Sequence, residues 1–212
     1  MSNNIMRVRG TARYPHLNEA DTKFDDAGVF KTDLILDQEA GSAIEQRFEK
    51  MRSAKMAETQ KKLKGKKAKE ADLPIQPEYD DDGNETGNYV LRVKMKASGI
   101  SKTTGKAWSR KLPLFDAYGN STNVRVGGGS EIIAAFEPAA WANPKGECSV
   151  TCRLEAVQVI NPVEGGGGSA SRFGFGEVDG GFKASHGATD EDSSDTSSEA
   201  DDEADISEDY DF

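Results

Sequence analysis

In Tyr89-Val-Leu-Arg-Val-Lys-Met-Lys-Ala97 a cation stands at every second position, Arg92, Lys94 and Lys96, while Leu91, Val93, Met95 and Ala97 take the alternate phase. A period of two is strand geometry, so the three charges share one face and the apolar residues share the other. Two further segments keep the same phase. Arg7, Arg9 and Arg13 alternate in Ile5–Tyr14, and Lys31 occupies the polar phase of Val29–Leu36. Lys102, Lys106, Arg110 and Lys111 lie on the hairpin that follows Ala97, and Tyr14, Trp108, Tyr118 and Trp141 sit near this set in sequence. Cations track phosphates, and exposed rings stack on splayed bases at ~1–3 kcal/mol each, which is what a single-stranded nucleic acid requires. Any one lysine is equally at home on a solvated sheet face. The coordinated face points to nucleic acid. Trp108 and Trp141 are readable either as stacking rings or as core.

The far end of the chain carries the opposite charge. Residues Gly187 to Phe212 hold 12 acidic side chains and no basic one, and close on Asp209-Tyr210-Asp211-Phe212. The formal charge of the 212 residues is −10; without this segment, 27 basic residues face 25 acidic ones, a body at +2. Such a segment cannot bury enough apolar surface to fold alone. It is expected to be a disordered interaction tail that competes with a larger polyanion for the basic body.

Catalytic constellations do not emerge. His16 and His186 are isolated, and Cys148 and Cys152 form no C-x-x-C. On one strand the two cysteines would lie about 13 Å apart, beyond disulfide reach, so they are expected to be free and buried. Gly99 to Lys106 departs from a phosphate loop in its glycine spacing and in Ala107, where a hydroxyl would hold the metal. Asp80-Asp-Asp-Gly-Asn84 lacks the sixth-position glycine and twelfth-position glutamate of a calcium loop, Glu85 and Leu91 standing there, and reads as an acidic hairpin turn. No metal, cofactor or enzyme activity is expected. No stretch approaches the ~18–20 apolar residues of a membrane span, and the N-terminus shows no apolar signal core, so the expected location is the cytoplasm.

The elements that must position these residues follow from period and punctuation. Ile5–Tyr14 is a strand expected to end at Pro15, with Met6, Val8, Ala12 and Tyr14 on its apolar face; a polar turn, Asn18 to Asp26, leads to the strand Val29–Leu36. Ile44, Phe48 and Met51 recur at helical spacing within Ser42 to Leu63, with Asp37 or Ser42 as cap. That helix runs into six lysines between Lys61 and Lys69, where Gly65 is expected to stop it. The lysines are readable as part of a nucleic-acid path, as a landing place for the tail, or as a solvated helix end. Pro74 to Asn88 reads as loop. After the Tyr89–Ala97 strand come Trp108–Phe115, the Gly127-Gly-Gly129 corner, and an antiparallel pair, Glu131–Phe136 with Cys148–Leu154, the last continuing to Ile160 through a bulge near Ala156. An antiparallel sheet with one helix must close or pack on itself, and a small five-stranded, partly open barrel is the economical solution. The expected organisation is a mainly β domain over 1–164, a Gly-rich linker over 165–186 with Phe173, Phe175 and Phe182, and the acidic tail over 187–212.

In this order, the elements resemble the single-stranded DNA-binding proteins of short-tailed, T-odd-type bacteriophages. The resemblance rests on the N-terminal strand pair, the charged helix, the Tyr89 to Phe115 hairpin and Val126-Gly-Gly-Gly-Ser130 before a strand. It is completed by Trp141 after Pro138, a final strand through Leu154-Glu-Ala-Val157, and the acidic end at Asp211-Phe212. It spans nearly the whole chain, except that the lysine run and the Asp80 to Gly87 hairpin have no counterpart in it. It implies an oligonucleotide/oligosaccharide-binding (OB) barrel, a homodimer, roles in DNA replication, recombination, repair and annealing, and a tail that docks on the phage DNA polymerase and helicase-primase. The alternative is an acidic-tailed adaptor whose basic face binds an acidic partner protein.

Overall fold

The computed structural model describes residues 4–63 and 67–163. The expected linker and tail, with Asp209, Tyr210, Asp211 and Phe212, lie outside the described residues, as do residues 64–66 of the lysine run.

Alternation becomes strand wherever a barrel interior takes one phase. The strands are β1 (Met6–Asp21), β2 (Val29–Leu36), β3 (Lys69–Glu70), β4 (Ile75–Tyr79), β5 (Glu85–Lys96), β6 (Ser98–Ile100), β7 (Ala107–Ser109), β8 (Leu114–Phe115), β9 (Glu131–Ala142) and β10 (Glu147–Asn161). Five of them close a barrel: β2 pairs with β1 and β5, β9 with β1 and β10, and a parallel bridge between Arg153 and Lys94 joins β10 to β5. The last strand therefore lies between the third and fourth, the order of an OB barrel. Leu34, Leu91, Val93, Ile132, Phe136, Leu154 and Val157 fill the interior, each worth ~1.5–3 kcal/mol of burial. Cys148 and Cys152 are free and buried on β10, and burial pushes the Cys152 thiol up to about 12.

The helix α1 (Gln38–Lys62) enters between the second and third barrel strands. Asp37 caps it, accepting from the Ala40 N–H at 2.8 Å, so the helix begins earlier than Ser42. Ile44 and Phe48 are buried in the core, and the helix packs against β5, β9 and β10. Gly41 permits this approach: a Cβ there would stand 2.3 Å from the Tyr89 ring.

Four expectations are corrected. β1 does not stop at Pro15 but runs to Asp21, because Pro15, which lacks an N–H, falls where the β1–β2 register slips between Arg13 and His16. Tyr14 takes φ 49° at that bulge, and the phase inverts: Val8 and Ala12 are buried before it and Leu17 after it. Tyr14, which strict alternation places with the apolar face, is turned outward and 74% exposed. The Pro74 to Asn88 loop contains β4, hairpinned to β5 through the Asp80–Asn84 turn. The segment Trp108–Phe115 is two short strands, β7 and β8, interrupted at Pro113.

Candidate nucleic-acid interface

Register places the cations. Across β2 and β5, Val29 stands opposite Lys96, Lys31 opposite Lys94, and Asp33 opposite Arg92. The inward partners are Phe30, Thr32 and Leu34, all buried, so the other phase forms an outward charged layer. Tyr14 borders this layer from β1. Phe24 borders it from the β1–β2 turn; the ring is 84% exposed, with the Lys23 ammonium 5.3 Å from its centroid. That turn is built by Asp21 accepting from the Lys23 N–H, Asp25 accepting from the Ala27 N–H, and Gly28 at φ 73°.

This layer, with Tyr14 and Phe24 at its border, lines a shallow depression, and a second one continues it, sharing Asp25, Val29 and Lys94 with it. Its far wall is the β6–β7 hairpin, held to the barrel by the Arg110 N–H donating to Ala97 O at 2.8 Å and by the Ser98 hydroxyl donating to Ala27 O at 2.7 Å. Trp108 rises from this hairpin half-buried, with the Arg110 guanidinium 4.5 Å from its ring. Thr151 and Arg153 of β10 form the remaining side. One continuous groove thus runs from Tyr14 and Phe24, over Lys31, Arg92, Lys94 and Lys96, to Trp108 and Arg110.

Carboxylates lie among these cations. Lys31 pairs with Asp21 at 2.6 Å, Arg92 with Asp33 at 3.0 Å, Lys96 with Asp25 at 3.3 Å, and Arg153 with Glu137 and Glu155. The Lys31 hydrogen bond and the Lys23 N–H hold the Asp21 carboxyl below its ordinary value, and Asp33 raises the Arg92 guanidinium. Lys94 and Arg110 make no ion pair among the described residues.

The remaining sequence candidates are dispersed. Arg13 is half-buried, paired with Glu78 at 2.9 Å, its guanidinium 5.8 Å from the Tyr14 ring. Arg9 pairs with Glu131 on the opposite flank of β1, and Arg7 lines a separate apolar hollow with Phe115, Ile133 and Ala135. Lys102 and Lys106 are exposed in the β6–β7 connection, and Lys111 borders a third depression with Leu17 and Phe30. Trp141 is 37% exposed on β9 opposite Ser149, outside the groove. Sequence reasoning passed over Phe24 and Arg153. A lone ring in the polar Asn18–Asp26 turn signals the first, and the outward phase of β10 signals the second.

No family model matches the chain, and no curated protein matches it. Among solved structures, it is similar to gp2.5, a single-stranded DNA-binding protein encoded by bacteriophage T7, at a TM-score of 0.64 and 23% identity, covering 85% of this chain and 98% of that one. It is also similar to the single-stranded DNA-binding protein of bacteriophage Enc34. The C-terminally truncated form matches at a TM-score of 0.51 and 15% identity, covering 77% of this chain and 89% of that one. The complex with single-stranded DNA matches at 0.50 and 18%, covering 78% and 91%. What this chain shares with these phage proteins is their barrel fold.

Proposed function

We propose that the chain is a non-enzymatic single-stranded DNA-binding protein of a bacteriophage, which coats and protects unwound DNA during replication, recombination, repair and annealing in the host cytoplasm. The observation that carries this reading is the groove itself: exposed Tyr14 and Phe24 at one end, Trp108 at the other, and a row of cations between them. Each cation is a phosphate site and each ring a base platform, and a single strand needs both at once. Structural neighbours with the same barrel are single-stranded DNA-binding proteins, one of them solved with single-stranded DNA.

The acidic end acts as the competitor. The last described residue, Val163, is fastened to the Gly127–Ser130 corner, and Gly129 N–H donates to Ala12 O at 2.8 Å, two residues from Tyr14. From Gly165 onward 48 residues follow; a coil of that length spans about 35–42 Å, enough to bring 12 carboxylates over the groove. DNA displaces them, freeing Asp209, Tyr210, Asp211 and Phe212 for the phage polymerase and helicase-primase, with the Phe212 ring as apolar anchor. The protein works as a homodimer.

The test is Trp108 fluorescence on titration with oligo-dT and with duplex DNA at several salt concentrations. Saturable quenching by oligo-dT is expected, weakening with salt by ~0.7 per phosphate contact in log–log slope. Absence of quenching at low salt, with retention on an acidic protein instead, would favour the adaptor reading. Deleting residues 187–212 raises DNA affinity; unchanged affinity would end the competitor role of the tail.

A further inference from the structure

The three carboxylates in the groove are not incidental neighbours of its cations. Each comes from a different segment, Asp21 from the end of β1, Asp25 from the β1–β2 turn and Asp33 from β2, and each holds one cation of the outward layer. In every pair the acid is the deeper member. Side-chain exposure is 14% for Asp21 against 37% for Lys31, 17% for Asp33 against 63% for Arg92, and 38% for Asp25 against 65% for Lys96. A ligand therefore meets the cation first and finds it already neutralised from below. Stability is a weak reason for this arrangement, because in each pair the cation is open to solvent, and pairs exposed on both sides contribute only ~0–1 kcal/mol. Their effect on an incoming anion is larger.

We propose that Asp21, Asp25 and Asp33 are resident phosphate surrogates that set the selectivity of the groove, suppressing ligands that offer charge alone and leaving the decision to the rings. This rests on the single-stranded DNA reading. A phosphate arriving at Lys31, Arg92 or Lys96 shares a cation that already has its anion, and it lies close to that anion. The gain at these three positions is an exchange of one anion for another. Lys94 and Arg110 attract phosphate without that opposition. The penalty grows with the line charge of the ligand, and duplex DNA carries one charge per ≈1.7 Å against one per 3.4 Å for a single strand. The carboxylates thus weigh about twice as heavily on duplex as on single strands. Only single strands recover the difference by stacking on Tyr14, Phe24 and Trp108.

The test replaces the charge and keeps the turn. Asp21→Asn, Asp25→Asn and Asp33→Asn are made singly and together in the full chain; an asparagine oxygen still accepts the Lys23 and Ala27 N–H bonds, so the turn is retained. One charge removed at ~5 Å from a phosphate in water is worth about fourfold in affinity. Each variant is expected to bind oligo-dT about fourfold more tightly, with a steeper salt slope. Duplex DNA is expected to gain more than oligo-dT, so the preference for single strands falls. A variant with Asp81→Asn and Asp82→Asn, on the β4–β5 turn outside the groove, controls for net charge. Folded groove variants whose oligo-dT affinity and salt slope equal those of the control overturn the proposal, and so does an undiminished preference for single strands. Heparin elution separates this from the functional reading. If wild type ignores oligo-dT yet the groove variants elute from heparin at higher salt than the control, the surrogate role stands and the single-stranded DNA reading fails.

Discussion

Gly99 lies against the ring of Trp108: a Cβ at 99 would stand 2.8 Å from Cζ2 and 3.1 Å from Cε2. The two residues are cross-strand partners in the β6–β7 ladder, so the indole folds over the position that has no side chain. The glycine sets the pose of the ring at the edge of the groove, and the hairpin contributes nothing to the buried core cluster.

Gly99→Val therefore displaces the indole without emptying the core. Its oligo-dT affinity is expected to fall by the ~1–3 kcal/mol lost in Trp108→Ala, with both melting temperatures near wild type. Titration and thermal melting of the two variants check this. A large drop in melting temperature for Trp108→Ala would make the ring a structural residue.

Tyr14 combines an exposed ring with a left-handed backbone, φ 49°. An L-residue in that region costs roughly 1–2 kcal/mol, which glycine avoids at an entropic cost of about 0.5–1 kcal/mol. Tyr14→Gly is expected to hold or slightly raise stability while weakening oligo-dT binding by ~1–3 kcal/mol. Tyr14→Ala loses the ring and keeps the strain, so it should be the less stable of the two in denaturant titration.

Cations with and without a resident anion should differ in their salt signature. Lys94 borders both halves of the groove and has no ion pair among the described residues. Lys94→Ala is expected to reduce the log–log salt slope by about 0.7, the value of one lost phosphate contact on a single strand. Lys102→Ala, at the exposed hairpin tip, should leave the slope unchanged. Equal effects from the two lysines would move the DNA path onto the hairpin tip.

Acid should loosen two turns together. The carboxyl of Asp80 accepts from the Asn84 and Asp82 N–H groups, and that of Asp116 from the Asn120 and Tyr118 N–H groups, which hold both below the ordinary 3.8. Because the folded values are depressed, the stabilisation is complete above about 3.8 and is lost as pH falls through the folded values. Thermal melts should be flat in this contribution down to about pH 4 and decline below it. Asp80→Asn and Asp116→Asn variants should show a shallower decline.

Alternation alone settled much of this protein. The period of two in Val29–Leu36 and Tyr89–Lys96 dictated which residues enter the barrel, because a pleated strand with one wet face admits no other assignment. The helix was legible in Ile44, Phe48 and Met51, and the bulge near Ala156 in the phase shift of β10. Barrel closure is a pairing of distant segments, Arg153 with Lys94, and no local pattern announces it. Tyr14 was assigned to the wrong face because a bulge adds a residue to one strand and inverts every side chain beyond it, an event that depends on the partner strand. Arg7 and Arg9 lie away from the groove because β1 pairs with β9 over Met6–Thr11 and with β2 from Thr11 onward, so one phase of one strand faces two different neighbours. Charge content was visible from composition. That Lys31, Arg92 and Lys96 each rest on a carboxylate was not, since Asp21, Asp25 and Asp33 meet them only when three segments fold onto one face.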